Sequence, residues 1–457
     1  MKKERFQRFY SVMQQYAGFC LRMYYRKLQI VNYDEHVPTD GAVFIAANHQ
    51  NTFLDPVIIA ARSKIQHQHN FITRADVFNP VTNVLFKQFK MVPIYRQRDS
   101  GSAAMRKNEE MFKVYTDRLL EEESFIIFVE GDHGRERRLR PLKKGIARIA
   151  LQTLQEADFE LPMQIVPAGL HYHDHDSFYS DALLVYGPPM DLAPYHEDLK
   201  ERPAKAINAI KENLTQEMRK VMIDIQSEDY YPTIEHIREW MAPDLALEAG
   251  KDPQDLYQLF QEEQQLVKRL DELANQDEAA MERLSDEVKG YRMKLRLHKI
   301  MDFSVAEGAR TSLQMLTESL QLLLGFPIFL YGLLNHGILV LLARSLPANM
   351  VKDPVFHPAM RYAMGVVLTP VLYLIQAGLV SAFAGWVWGL IYLISLLPAG
   401  RFAAYWWRWR KRWQSRRRMA KITRDGDQVL RNARNLLWKS VQKIMKQTAQ
   451  KEPTSVK

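Results

Sequence analysis

The stretch FIAANHQNTFLDPVII, residues 44–59, sets a polar knot from His49 to Asp55 between two runs that belong in a core. The run before the knot, AVFIAA at 42–47, is small and apolar and reads as a buried strand. The run after it, DPVIIAAR at 55–62, has helical periodicity, and Asp55-Pro56 suits a helix start with Asp as the cap. The alternation continues downstream. FITRA (71–75), MVPIY (91–95), SFIIFVE (124–130), MQIVPAGL (163–170) and ALLVYG (182–187) read as further strands. Between them FNPVTNVLFKQF, the run from Ser102 to Glu122, and GIARIALQTLQE read as helices. Strand alternating with helix predicts an α/β fold, a mainly parallel sheet flanked by helices. Ligands in such sheets sit outside the carboxyl ends of the strands, and the polar motifs of this chain mostly follow strand runs.

At 457 residues the chain exceeds the usual single core, so several regions are expected. Residues 319–343 and 362–400 carry no Asp, Glu, Lys or Arg. The first stretch is 25 residues, enough to span a hydrocarbon layer of about 30 Å at about 1.5 Å per residue. The second, at 39 residues, suits a tight helical hairpin. Directly after it, residues 401–418 hold eight Arg or Lys and four Trp. Trp at headgroup level followed by dense positive charge marks a membrane exit on the anionic, cytoplasmic side, with anionic lipids rather than nucleic acid as the partner. If the catalytic part and the tail are both cytoplasmic, the crossings must be even in number. One of the two apolar stretches is then expected to dip in and return, and Gly325 and Pro327 interrupt the first.

The single cysteine, Cys20, rules out an internal disulfide and a cysteine-based metal cage. The amino terminus has a basic start and an apolar, aromatic middle without a small-residue cleavage site. It reads as an amphipathic helix in the membrane interface, the alternative being a helix packed on the domain. From about 200 to 310 the pattern is helical and highly charged, with a break at ANQDE (274–278) that predicts two helices folding back as a hairpin. The expected organisation is an interfacial helix (1–40), an α/β domain (41–200), a charged helical arm (201–310), membrane-embedded helices (311–402) and a basic tail (403–457).

Four polar motifs lie within the α/β stretch: NHQNTFLD, VPIYRQ, FVEGDHGRERRLRPLKKG and IVPAGLHYHDHDSF. In order and content they resemble the four blocks of the PlsC-type glycerolipid acyltransferases. The third and fourth are closest in pattern to the glycerol-3-phosphate/dihydroxyacetone-phosphate acyltransferase branch. The resemblance covers roughly residues 41–190. It implies a glycerol-3-phosphate acyltransferase-like fold and transfer of a fatty acyl chain to a hydroxyl of glycerol-3-phosphate or 1-acylglycerol-3-phosphate. The implied donor is acyl-CoA or acyl-carrier protein, with no cofactor and no metal.

The chemistry the resemblance implies needs particular side chains. A glycerol hydroxyl is a poor nucleophile near neutral pH and must lose its proton as it attacks a thioester. Histidine suits that task, with a carboxylate on its other ring nitrogen to fix the tautomer. The resemblance gives these roles to His49 and Asp55. Most members place four residues between the pair and this chain places five, as the fungal branch does. Arg96 matches the position that binds the substrate phosphate, where a guanidinium fork fits phosphate oxygens; Arg98 is its neighbour and competitor. Glu130 and Gly131 match the Glu-Gly of the third block, here preceded by Val129 instead of the usual proline. Lys143 and Gly145 match its Lys and Gly, where a helix would begin and favour phosphate. Pro167 matches the proline that shapes the acyl-donor side. The remaining arginines of the third block are expected to meet anionic headgroups.

HYHDHD (171–176) would put His171, His173 and His175 on one face of a strand, a pattern that invites a metal, yet the resemblance calls for none. Two other functions fit parts of the sequence. A tafazzin-like transacylase would use the same His-Asp chemistry with a phospholipid donor. A non-catalytic membrane scaffold would use the arm and tail but would have no need of His49, Asp55, Arg96 and Glu130 in order.

Overall fold

The computed structural model describes residues 2–62, 69–78, 83, 86–95, 103–426 and 428–449. These fall into two compact units, Met1–Met222 with Met350–Tyr362, and Ile223–Asn349 with Ala363–Lys457.

The first unit is built on a mostly parallel sheet. Its strands are β1 (Lys27–Val31), β2 (Ala42–Ala47), β3 (Asn70–Arg74), β4 (Met91–Ile94), β5 (Ser124–Phe128), β6 (Met163–Tyr172), β7 (Asp181–Tyr186) and β8 (Met190–Asp191). Their spatial order is β1-β7-β6-β2-β5-β3-β4, with β8 also alongside β6. The β6–β7 and β6–β8 pairs are antiparallel and the rest are parallel. Every residue of β2 is buried, which explains its run of apolar side chains: a central parallel strand is covered on both faces.

The principal helices of this unit are α1 (Lys2–Tyr24), α2 (Leu54–Arg62), α3 (Ala103–Leu120), α4 (Gly145–Glu156) and α5 (Pro203–Lys220). The last buries Ile210, Leu214 and Met218. The α/β expectation holds, and α4 occupies the predicted stretch residue for residue. Strand β1 has no counterpart in the sequence reading. KLQIV carries a Lys and a Gln, so it lacks the apolar signature of the inner strands, and only its pairing with Leu183, Leu184 and Val185 of β7 makes it a strand. Helix α1 packs one face on α2, where the Gln14 side-chain amide donates to the Ala60 carbonyl (2.7 Å) and Tyr10 and Leu21 are buried. Its other face leaves Phe9, Val12 and Phe19 exposed.

In the second unit the charged arm folds into α6 (Tyr231–Glu248), α7 (Leu256–Gln276) and α8 (Glu278–His298). The predicted break falls at Asp277, whose carboxylate caps α8 by accepting from the Ala280 amide (2.9 Å). The arm is not purely solvated. Phe260, Leu266, Leu270, Met281, Leu284 and Val288 are buried in it. The chain's last described helix, α12 (Val429–Ala449), joins this core through Leu430, Leu437 and Val441. From α12, Arg434 reaches Asp244 (2.7 Å) and Asp302 (2.9 Å).

Between them lie α9 (Ser312–Met350), α10 (His357–Ala384) and α11 (Trp386–Arg424), with three stretches long and apolar enough to cross a membrane. The stretch 362–400 is interrupted, as its length for a helical hairpin predicts. Gly385, at φ +93°, breaks it, and Gly389 then packs on Ala377 and Ser381 of the preceding helix. Helix α9 runs unbroken through Gly325 and Pro327.

Candidate active site

The polar knot sits where β2 ends and α2 begins. Asn48, Gln50, Asn51, Thr52 and Asp55 are each no more than 5% exposed. Buried polar groups need partners, and the knot supplies them. The Asn48 side chain donates to the Leu170 carbonyl (3.0 Å) and accepts from the Leu170 amide (2.7 Å), continuing the β2–β6 pairing beyond the end of the ladder. Thr52 takes a left-handed backbone conformation (φ +43°), and through this turn the five-residue spacing still brings Asp55 back to His49.

Asp55 lies in the first turn of α2, and its side chain turns back to the loop instead of capping the helix. One carboxylate oxygen accepts from His49 Nδ1 (2.7 Å), the Gln50 amide (2.9 Å) and the Asn51 amide (2.8 Å). The other accepts from the Tyr172 hydroxyl (2.5 Å). Four donors thus converge on one fully buried carboxylate. Because Asp55 can only accept, Nδ1 of His49 carries the hydrogen, and Nε2 is left with its lone pair. The imidazole is stacked on Phe128 at 4.0 Å and faces the His133 ring edge-to-face at 5.9 Å. Packing and hydrogen bonding together fix its plane.

The third block closes over this pair. The Gly134 amide donates to the His49 carbonyl (3.0 Å) and the Val129 amide to the Ala47 carbonyl (3.2 Å), so the loop after β5 follows the loop after β2. Glu130 is buried and accepts from Arg140 Nε (2.5 Å). Burial pushes the Glu130 carboxyl above the usual range, opposed by the Arg140 charge and the neighbouring His49. Arg140 also donates to the carbonyls of His133 (2.8 Å) and Asp132. Gly131 is left-handed (φ +71°), and a Cβ there would stand 3.0 Å from Lys143 Cγ. The turn needs glycine for its backbone, whatever precedes Glu130. Lys143 itself is exposed, its amide donating to the Val129 carbonyl (2.8 Å), and α4 begins two residues on at Gly145.

The arginines expected to meet headgroups are instead engaged with protein in three cases. Arg137 is buried and donates to the Tyr172 carbonyl (2.7 Å), Arg135 pairs with Asp176 (2.9 Å), and Arg140 braces the turn around Glu130. Among the described residues no group of three His, Cys, Asp or Glu side chains could hold a metal. Of the histidine run, His175 turns inward, its Nε2 donating to the Gln50 side chain (3.3 Å), and burial pulls its pKa down to about 3.

The structure therefore gathers His49, Asp55, Glu130, Gly131 and Lys143 along the carboxyl ends of β2 and β5. Pro167 is not with them. It pairs with Ala46 within the sheet and lies against Gly187, on the face of β6 opposite Tyr172. Arg96 and Arg98 lie outside the described residues. Sequence reasoning missed Asn48, Tyr172, Arg140 and His133. Asn48 adjoins the motif histidine, but Tyr172 reaches Asp55 only because β6 lies beside β2.

The acyltransferase family profile matches residues 29–171. The chain is 30% identical over 137 residues to glycerol-3-phosphate O-acyltransferase 2 of Saccharomyces cerevisiae, covering 30% of this chain and 18% of that protein. It thus spans less than a fifth of that relative's length. It also resembles the crystal structure of the 1-acyl-sn-glycerophosphate (LPA) acyltransferase PlsC from Thermotoga maritima. There the TM-score is 0.33 and the identity 15%, over 47% of this chain and 83% of that one. The stretch that builds the site, residues 29–171, is thus the part of the chain that is similar to acyltransferases.

Proposed function

We propose that the protein moves a fatty acyl chain from acyl-CoA or acyl-carrier protein to a hydroxyl of glycerol-3-phosphate or 1-acylglycerol-3-phosphate, with His49 as general base. The observation that carries this reading is the 2.7 Å bond from His49 Nδ1 to a buried carboxylate, which leaves Nε2 able to accept a proton. The acceptor hydroxyl gives its proton to Nε2 as its oxygen bonds to the thioester carbonyl carbon. The carbon–sulfur bond then breaks, and the departing thiolate takes the proton back from the imidazolium. Asp55 keeps the tautomer and offsets the positive charge while it lasts. Arg96 and Lys143 are our candidates for the acceptor phosphate. Glu130 and Gly131 hold the turn that presents Lys143, and Pro167 is assigned to the acyl-donor side.

The steps need no cofactor beyond the donor. The three apolar helices support a membrane setting, with the exposed Phe9, Val12 and Phe19 of α1 suited to its interface. We place the catalytic domain and the basic tail on the cytoplasmic side. The test is transfer of labelled acyl groups by the purified protein, with glycerol-3-phosphate and its 1-acyl form as alternative acceptors. Acylation of neither would refute the proposal.

A further inference from the structure

Residues 350–362 link two helices long and apolar enough to cross a membrane, yet they belong to the unit that contains His49. Contacts from several of its residues hold this connector there. Arg135 donates to the Pro354 carbonyl (2.9 Å) while its guanidinium also pairs with Asp176 (2.9 Å). Arg361 donates to the Asp176 carbonyl (3.1 Å). Tyr362 is buried, its hydroxyl donating to the Ala17 carbonyl (3.1 Å) and its ring edge-on to Tyr24 at 5.4 Å. Phe356 meets the His133 ring edge-to-face at 5.0 Å.

The last contact reaches the chemistry. His133 lies between Phe356 and His49, so three rings stand in series from the connector to the base, with centroid spacings of 5.0 and 5.9 Å. Asp353 flanks the same ring, its carboxylate 3.9 Å from His133 Nε2, and caps the short turn Pro354–Phe356 by accepting from the Val355 amide (3.0 Å). The backbone of His133 is fixed separately, by Arg140 on its carbonyl. The ring itself stands between Phe356 and Asp353 of the connector on one side and His49 on the other, with the Asp132 carboxylate 3.6 Å from its Nδ1. A side chain with no direct bond to His49 but filling the space beside it limits how wide an acceptor can be there.

We propose that the connector 350–362 is a wall of the acceptor site, in which Phe356 positions His133 against His49 and so selects acceptors by their bulk next to the reacting hydroxyl. The inference rests on the acyltransferase reading above. Removing the Phe356 ring frees His133 to swing away from His49, widening the site where 1-acylglycerol-3-phosphate carries an acyl ester and glycerol-3-phosphate carries only a hydroxyl. A larger ring has the opposite effect.

The test uses the full-length protein and compares kcat/KM for the two acceptors in wild type, Phe356→Ala, Phe356→Trp and Asp353→Asn. Phe356→Ala should shift the ratio toward the 1-acyl acceptor by about tenfold, the value of roughly 1.4 kcal/mol of discrimination. Phe356→Trp should shift it toward glycerol-3-phosphate. Asp353→Asn, at an exposed position where folding is not at stake, should shift it in the Ala direction by a smaller factor. A general loss of packing would lower both rates together and leave the ratio alone. Ratios within twofold of wild type in all three variants, with wild type active, would overturn the inference and leave the acyltransferase reading intact. Wild type inactive on both acceptors would overturn that reading and the inference with it.

Discussion

Replacing Asp55 by Asn tests the core of the site with little steric change. The carboxylate is fully buried and accepts four hydrogen bonds, three on one oxygen and one on the other. An Asn side chain can keep most of them. Its carbonyl oxygen takes the three N–H donors, and its NH2 group turns to Tyr172, whose hydroxyl reverses to accept. The fold is retained and His49 keeps its tautomer. What disappears is the negative charge opposite the imidazolium that forms during transfer. Two unit charges about 4 Å apart interact by about 4 kcal/mol at an effective dielectric constant of 20. At 1.36 kcal/mol per decade this predicts a fall in kcat of about a thousandfold. Acceptor KM should change little, because the charge acts in the transition state and not on binding. The assay is initial-rate acyl transfer at saturating donor, beside a thermal melt in the same detergent. A variant that melts near wild type and keeps kcat within threefold would refute the role given to this carboxylate. Asp55→Ala is the harsher contrast. It strands four buried donors, each costing up to about 1–3 kcal/mol, so it should lose stability as well as rate.

Three further outcomes follow from the same geometry. Tyr172→Phe leaves one Asp55 oxygen without its donor and should cost about 1–3 kcal/mol of stability in a denaturant titration, with roughly tenfold slower transfer. Gly131→Ala forces a side chain into a left-handed turn against Lys143 and should lower stability by about 1–2 kcal/mol, measurable as a lower Tm. His175 titrates near 6.5 when unfolded and at about 3 when folded, so the unfolded state binds the extra proton between those values. Its contribution is fully present above pH 6.5 and is lost as pH falls toward 3, by about 1.4 kcal/mol per pH unit. His175→Gln should therefore gain on wild type by about 2 kcal/mol between pH 6.5 and pH 5, whereas parallel stability curves would contradict the burial argument.

Much of the fold was legible because its signals are local. Buried central strands such as AVFIAA have no polar residue to confuse their pattern, and GIARIALQTLQE carries an unbroken helical period. Strand β1 was not legible, since KLQIV is half polar and acquires its identity from β7, some 150 residues away. Helix α12 reads in sequence as part of the basic tail because its charge is conspicuous, whereas Leu430, Leu437 and Val441 are spaced to bury against the arm. At the site, the pairing of His49 with Asp55 could be read from spacing and chemistry. Tyr172 and His133 could not. Their places depend on β6 lying beside β2, and on the loop after β5 following the loop after β2. The arginines of the third block misled for a related reason. Sequence shows their charge but not the backbone carbonyls and carboxylates that surround them in the folded loop.

The central claim is that Nε2 of His49 removes the proton from the acceptor hydroxyl. The direct measurement is single-turnover transfer of a labelled acyl group by purified wild type and by His49→Ala, with donor binding measured in both. The account predicts labelled acyl-glycerol phosphate from wild type, and donor bound but transfer slowed by about 10²–10⁴-fold in the variant. Transfer at the wild-type rate by a folded His49→Ala protein would contradict it.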